Sequence, residues 1–353
     1  MDRMVSVFNI GSQMIGSGQP CFIIAEAGVN HNGSPEMARQ LIDAAVQTGA
    51  DAVKFQTFKT ELVMTHEAPK AGYQRETTGA GESQFDMVKR LELAPEVFGE
   101  LMAYCQESGI LFLSSPFDNE SVDLLGDLEV AAFKVPSGEI TNIPYLERIA
   151  RKGRPMIVST GMANLSEVDL AVQAIRNSGS PPFALLHCVS NYPADPSVIN
   201  LKAMETMQTA FGVPVGYSDH TLGTEISIAA VALGASVIEK HITLDNNLPG
   251  PDHRASLEPN EFKNMVSSIR SVQTALGNGQ KVPAASEADT ASVARKSLIA
   301  ARDIPAGTVL TEDLITIKRP GTGLPPSMMQ YLLGRITKTN VSADSLLDLD
   351  KLE

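Results

Sequence analysis

The sequence predicts an α/β protein: a closed (β/α)8 TIM barrel followed by a small β-rich domain. Three observations carry this. Eight short β-rich runs recur along the first 245 residues, each bounded by Gly, Pro or polar side chains. A segment of helical period follows each run. After Gly277 the alternation stops and the composition turns to Gly, Pro, Ser, Ala and charge.

In chain order the runs are CFIIAEAG (21–28), AVKFQ (52–56), ILFLSSPF (110–117), AAFKVPS (131–137), PMIVSTG (155–161), FALLHCVS (183–190), PVGYSDH (214–220) and SVIEKHIT (236–243). Between them lie amphipathic stretches such as SPEMARQLIDAAVQTGA, SEVDLAVQAIRNSG and GTEISIAAVALGA, and FKNMVSSIRSVQTALG follows the last. Near-continuously apolar strands belong to a parallel sheet buried on both faces, and eight βα units in succession are what a barrel needs. A doubly wound open sheet is the competitor. Neither GxxxxGKS/T nor GxGxxG follows any run, which weakens its nucleotide-binding form. The barrel is expected over 1–278 and a linker over 279–294. A β-rich domain is expected over 295–353, with strand-like pieces KSLIAA, VLTEDLITIKR and LLGRITK broken by Pro and Gly.

The 353-residue length fits one large and one small domain, and 43% apolar with 20% charged residues is an ordinary globular mix. The balance of 28 Lys+Arg against 41 Asp+Glu gives a net charge of −13. That field repels polyanions, so neither nucleic acid nor an anionic membrane is an expected partner. A small anionic substrate is still allowed, because a few cations in a low-dielectric cleft outweigh a distant field. The N-terminus has no basic start followed by an apolar core, and nowhere do about 18 apolar residues run together, so a cytoplasmic protein is expected. Cys21, Cys105 and Cys188, each in an apolar stretch, suit reduced buried thiols rather than disulfides.

Barrel enzymes work at the C-terminal rim, so the last residues of each run are the candidates. Run one ends in Glu26, with Asn30, His31 and Asn32 just beyond; run two in Lys54 and Gln56; run three in Ser114 and Ser115. Run four carries Lys134 and Ser137, with Glu139 following; run five ends in Ser159 and Thr160. Run six offers His187, Ser190, Asn191 and Tyr192; run seven Ser218, Asp219 and His220; run eight Glu239, Lys240 and His241. Charged and polar groups at the ends of apolar strands need partners, because unpaired burial costs several kcal/mol.

His220 and His241 finish adjacent strands, and their imidazoles can converge on one cation, with Asp252 and His253 shortly after. Two His without a third protein ligand leave positions for water and substrate oxygens, which favours Mn or Mg over a closed zinc site. A hydrogen bond across the barrel top would explain either His alone. Lys54 and Lys134 with Ser115, Ser137 and Ser218 can hold a phosphate. Alternatively they form internal ion pairs with Glu26 and Glu139, or one is a Schiff-base amine. Glu26 and Glu239 are candidates for orienting or deprotonating a water. Lys240 and Asp219 point away from their neighbours and support them; His187 and Tyr192 are packing groups or ligands.

The ordered motifs AEAGVNHNG, AVKFQTFK, SSPFD, KVPSGEITNIPYLE, VSTGMA, LHCVSNYP, GYSDHT, IEKHITLD and GPDHRASLEP resemble the barrel of bacterial sialic acid synthases. ARKSLIAARDIPAGTVLTEDLITIKRPGTG is similar to that family's C-terminal SAF, or antifreeze-like, domain. The resemblance runs from about residue 20 to 340. It implies condensation of phosphoenolpyruvate with an N-acetylmannosamine-type sugar to a nine-carbon nonulosonic acid and phosphate. It also implies a divalent metal on His220 and His241, and a phosphoenolpyruvate site of Lys54, Lys134, Ser137, Ser159 and Ser218, with Ser115 where many members have Thr. Gln56, Glu139, Tyr192 and Asp252 would contact the sugar. Arg319 of the partner subunit would reach its N-acetyl group, in a domain-exchanged homodimer. Ser190 departs from members that carry Asn near the phosphate.

The implied chemistry has the metal polarising the open-chain aldehyde, the enol carbon attacking it, and a metal-held water, oriented by Glu26 or Glu239, adding before C–O cleavage. HCVSNYPA, GYSDHTLG and GPDHRASLEP are closer to makers of legionaminic acid from 2,4-diacetamido-2,4,6-trideoxymannose than to pseudaminic acid synthases. KFQTFK and KRPGTG are shared with N-acetylneuraminate makers, so both sugars stay open. The rival readings are a Schiff-base aldolase or lyase using Lys54 or Lys134, and a non-catalytic carbohydrate-binding module.

Overall fold

The computed structural model describes residues 6–79 and 81–353. The chain divides into two compact units, Met1–Gly277 and Asn278–Glu353. The first opens with a hairpin, β1 (Phe8–Ile10) and β2 (Gln13–Ile15). Eight parallel strands follow: β3 (Phe22–Gly28), β4 (Ala52–Thr57), β5 (Leu111–Pro116), β6 (Phe133–Val135), β7 (Met156–Ser159), β8 (Phe183–Cys188), β9 (Val215–Asp219) and β10 (Val237–His241). Consecutive strands are neighbours, and β10 pairs back onto β3, so the first and last of the eight meet. That closure excludes the open-sheet alternative. The hydrogen-bonded order begins at β5 and ends at β6, which lie side by side at the single seam of a nearly closed barrel.

Local chemistry sets the elements. In the helix Pro35–Thr48, the Ser34 hydroxyl accepts the Met37 amide at 3.2 Å, and Gly49, at φ 78°, ends the helix in the left-handed region. Outward strand residues such as Ile23, Val53, Phe133, Val158, Leu185 and Ile238 form one large core with the helices. Inward residues Phe22, Ile24, Ala52, Leu113, Ala132, Ile157, Ala184, Leu186 and Val237 form a second, inside the barrel. Two residues further up six of the eight strands the inward position becomes polar: Glu26, Lys54, Ser115, Lys134, Ser159 and Glu239, all buried. The barrel is thus apolar below and ionic above.

Two features are additional to the sequence expectation. The hairpin inserts Phe8, Ile10 and Ile15 into the inner core and seals the barrel's lower end. Residues 58–94, between β4 and the helix Pro95–Glu107, make a long excursion with short helices Thr60–Val63, Gly72–Thr78 and Gln84–Lys89. Buried Lys70 braces it, donating to the Thr78 hydroxyl at 2.9 Å, the Gly79 carbonyl at 3.1 Å and Glu82 at 3.2 Å.

In the second unit, part of the segment expected as linker is helical, Ala288–Ala294. β11 (Ser297–Ala300) pairs antiparallel with β12 (Ile315–Lys318) over a small core of Leu298, Ile304, Leu310, Leu332 and Leu347. The LLGRITK piece forms isolated bridges, such as Val309 with Ile336, instead of a strand. Cys21, Cys105 and Cys188 are free and buried, and burial pushes the Cys21 thiol up to about 12. Among the described residues no helix is long and apolar enough to cross a membrane.

Candidate active site

Above the ionic layer opens a cavity of about 320 Å³. On its floor Lys54 contacts Glu26 at 2.5 Å and Glu239 at 3.7 Å, and Lys134 lies 3.4 Å from Glu239. Hydroxyls extend the set: Lys54 donates to Ser115 at 3.1 Å, Lys134 to Ser159 at 2.8 Å, and Ser218 to Glu239 at 2.9 Å. The Gly161 amide donates to Ser137 Oγ at 3.0 Å, which shares a hydrogen bond with Cys188 Sγ, also at 3.0 Å. A Cβ on Gly161 would come within 2.4 Å of Ser190 Oγ and 2.8 Å of both Ser137 Oγ and Cys188 Sγ. Only glycine leaves this cradle open.

The internal ion-pair alternative is therefore half realised. Lys54 pairs with Glu26, but the second carboxylate is Glu239 rather than Glu139. Strand alternation explains the exchange: Glu239 points inward from β10, whereas Glu139 follows β6 in the turn Ser137–Glu139 and accepts from Asn142 at 2.7 Å.

Electrostatics separates the two carboxyls. Burial pushes Glu26 up to about 7, against the pull of Lys54. Burial also disfavours the Glu239 carboxylate, but Lys134, Lys54 and the Ser218 hydrogen bond outweigh it and hold the group at about 2. Glu239 stays an anion while Glu26 gains and loses its proton near neutrality, a division that suits acid–base work. Burial opposes the Lys54 ammonium, yet Glu239 and Glu26 together hold it above its ordinary value. For Lys134 burial wins over Glu239 and lowers it.

Beside this floor the rings of His220 and His241 stand with centroids 5.7 Å apart, with the Tyr192 ring tilted against His220 at 4.0 Å. Burial lowers the pKa of both imidazoles, and the neighbouring charges of His220 and Lys54 lower that of His241 further. His220 Nδ1 hydrogen-bonds the Val189 carbonyl at 2.7 Å, which leaves Nε2 with the lone pair. Among the described residues His241 Nδ1 is buried without a partner. Two neutral imidazoles with nitrogen capacity unused fit a divalent cation. Among the described residues no group of three or more His, Cys, Asp or Glu could hold a metal, so any such site is an open one completed by other oxygens.

The structure brings Glu26, Lys54, Gln56, Ser115, Lys134, Ser137, Ser159, Ser190, Tyr192, Ser218, His220, Glu239, His241 and Asp252 to this one cavity. Glu139 does not border it. Arg319 belongs to the second unit, where its Nε donates to the Ala294 carbonyl at 3.2 Å. His187 is a packing group, bonded to the Ile199 carbonyl at 2.6 Å and set against Tyr217. Asn30 and His253 join a buried network with Ser256, Thr243 and Asn32. Sequence reasoning missed Gly161 and the excursion's wall of Val63, Met64, Tyr73, Gln74, Met87, Val88 and Leu91. A strand-to-helix connection as long as 58–94 was the available signal, since ordinary ones are a few residues.

A barrel with its polar groups gathered at the C-terminal mouth belongs to the class of (β/α)8 enzymes that bind small anionic substrates there. The chain belongs to the NeuB family, which it matches over residues 41–281, with a SAF domain matched over 295–353. It is 49% identical over 327 residues to the N,N'-diacetyllegionaminic acid synthase of Campylobacter jejuni, covering 92% of this chain and 98% of that protein. The Legionella pneumophila protein of the same name is 46% identical over 342 residues, covering 96% of each. Among solved structures, the N-acetylneuraminic acid synthetase of Leptospira borgpetersenii, in complex with citrate, superposes with a TM-score of 0.73. It is 36% identical and covers 82% of this chain and 96% of that one.

Proposed function

We propose that the protein condenses phosphoenolpyruvate with 2,4-diacetamido-2,4,6-trideoxymannose, giving N,N'-diacetyllegionaminate and phosphate. The observation that carries this is the meeting of two lysines, a set of serine hydroxyls and two neutral imidazoles over one cavity floor. Lys54 and Lys134, with Ser115, Ser137 and Ser159, bind the phosphate as charge-assisted donors. An arriving anion raises Glu26 further, so its carboxyl holds a proton that it can give to the aldehyde oxygen.

His220 and His241 would hold a divalent cation, Mn or Mg, which supplies Lewis-acid polarisation of the sugar aldehyde. Carbon 3 of phosphoenolpyruvate bonds to the aldehyde carbon, whose oxygen takes the proton from Glu26. Water adds at carbon 2, the Glu26 carboxylate left by that transfer accepts one of its protons, and the C–O bond to phosphate breaks as the remaining hydroxyl proton leaves with the phosphate. Glu239, held anionic, keeps Lys134 and Ser218 oriented.

The choice of sugar is supported by the names of the two relatives and by the cavity's upper wall. Val63, Met64, Met87, Val88 and Leu91 offer apolar surface to a C6 methyl and acetamido methyls, where N-acetylmannosamine would bring a hydroxymethyl group. The proposal extends to a cytoplasmic homodimer with Arg319 of the partner subunit at the sugar's N-acetyl group. Support comes from the KRPG motif for the dimer and the three free thiols for the compartment.

Phosphate release is to be measured with phosphoenolpyruvate, Mn and each sugar in turn. A preference of about 10-fold or more in kcat/KM for the diacetamido sugar is expected, the size a methyl-binding wall supplies. No release with either sugar overturns the condensation itself; a preference for N-acetylmannosamine overturns the choice of sugar.

A further inference from the structure

One charged pair in the barrel faces away from the cavity and is fully buried. Lys240 Nζ lies 2.9 Å from Asp219 Oδ2, and both side chains are 0% exposed. Lys240 also donates to the Thr221 carbonyl at 2.5 Å. Asp219 Oδ2 accepts the Ser227 hydroxyl at 2.6 Å, and its Oδ1 accepts both the amide and the hydroxyl of Thr221, at 2.8 and 2.7 Å.

A buried ion pair seldom stabilises a fold more than an apolar pair of similar volume would, so stability is a weak account of this one. Its position is more informative. Asp219 and Lys240 are register partners on β9 and β10, and each immediately precedes one of the two imidazoles. They are also the last pair of that ladder, so beyond them main-chain pairing no longer ties the strand carrying His220 to the strand carrying His241. The side-chain network takes over there. It grips residues 219 and 221, on both sides of His220, and anchors them to Lys240, beside His241. On its far side His220 is tied to the β8 loop, through its carbonyl to the Ala194 amide at 2.8 Å and through Nδ1 to Val189.

We propose that the Lys240–Asp219 pair is a positioning element that sets the two imidazoles at the spacing one divalent cation needs. This rests on the metal reading of His220 and His241. Without the pair the barrel would stay closed, because the ladder below is intact, but the β9 end would settle independently of β10.

The test is Mn binding by calorimetry to the metal-free full-length protein without substrates, with melting followed by circular dichroism. The double variant Asp219→Asn/Lys240→Met removes both charges and keeps an amide oxygen to accept from Thr221. Mn affinity is expected to fall by about 10- to 100-fold, the range for removing groups that orient metal ligands. Phosphate release should return as Mn is raised in proportion. Asp51→Asn/Arg270→Met, which removes the ion pair at 2.7 Å between Asp51 and Arg270, is the control and should leave Mn affinity unchanged whatever it does to melting. Ser227→Ala, a milder loosening, should weaken Mn binding at least threefold and decides the matter if the double variant does not fold. Wild-type affinity in a folded double variant, or in Ser227→Ala where the double variant is lost, overturns the proposal alone. Absence of Mn binding by the wild-type protein overturns the metal reading and this inference with it.

Discussion

Gly161→Ala places one methyl group in the phosphate cradle and asks for nothing else. Gly161 is outside the left-handed region, so the backbone accepts alanine without strain. The new Cβ would lie 2.4 Å from Ser190 Oγ and 2.8 Å from Ser137 Oγ and Cys188 Sγ, closer than atoms can approach, so these side chains must rotate away. Ser137 then loses its bond from the Gly161 amide and its aim into the cavity. One to two hydrogen bonds to a charged group, each about 1.5–3 kcal/mol, amount to about 1.5–6 kcal/mol of phosphate binding, or roughly 10- to 25,000-fold in kcat/KM. The assay is phosphate release against phosphoenolpyruvate concentration at saturating sugar, with calorimetric melting as the check on folding. The expected result is a large rise in KM for phosphoenolpyruvate with little change in that for the sugar. A folded variant with an unchanged KM for phosphoenolpyruvate would refute the cradle.

Further outcomes follow from the same geometry. His220→Ala and His241→Ala should each abolish Mn-dependent phosphate release while circular dichroism stays native; near-normal rates in either end the metal assignment. Borohydride added during turnover should leave the protein mass unchanged, because the lysines clamp phosphate; a pyruvyl adduct on Lys54 or Lys134 would restore the Schiff-base route. Arg319→Ala should raise the sugar KM far more than that of phosphoenolpyruvate, and equal rises would remove it as a sugar contact. Burial lowers His31 to about 4, with His253 adding to the effect. Between there and its ordinary value the unfolded chain binds the proton and the folded one does not, so its stability contribution is full above about pH 6.5 and lost as pH falls toward 4, by about 3 kcal/mol. Urea unfolding at pH 7 and 4.5 should show that loss reduced in His31→Gln; identical pH slopes would refute it.

The barrel and most of its mouth were legible because strand geometry writes itself into sequence with a period of two. Along SVIEKHIT, Val237, Glu239 and His241 must share one face and Ile238 and Lys240 the other, whatever the rest of the chain does. The same rule placed Lys54, Lys134 and Glu26 at the rim and set Asp219 and Lys240 behind it. It has no purchase on residues outside strands. Glu139, one turn past β6, turned aside to Asn142, and the wall of Val63, Met64 and Met87 came from short helices whose docking depends on distant partners. The hairpin Phe8–Ile15 was silent because three-residue strands carry no period.

Which lysine meets which carboxylate was likewise beyond a linear reading. Residues 54 and 239 approach across the barrel only when β10 pairs back onto β3, and the unequal charge that drives Glu26 up and Glu239 down exists only once Glu26, Lys54, Lys134 and Glu239 share one enclosed volume. Residue order specifies which groups reach the rim, since that is a local property of alternating backbone. Pairing, proton affinity and the open space at Gly161 are properties of distances between segments, and closure of the ring creates them.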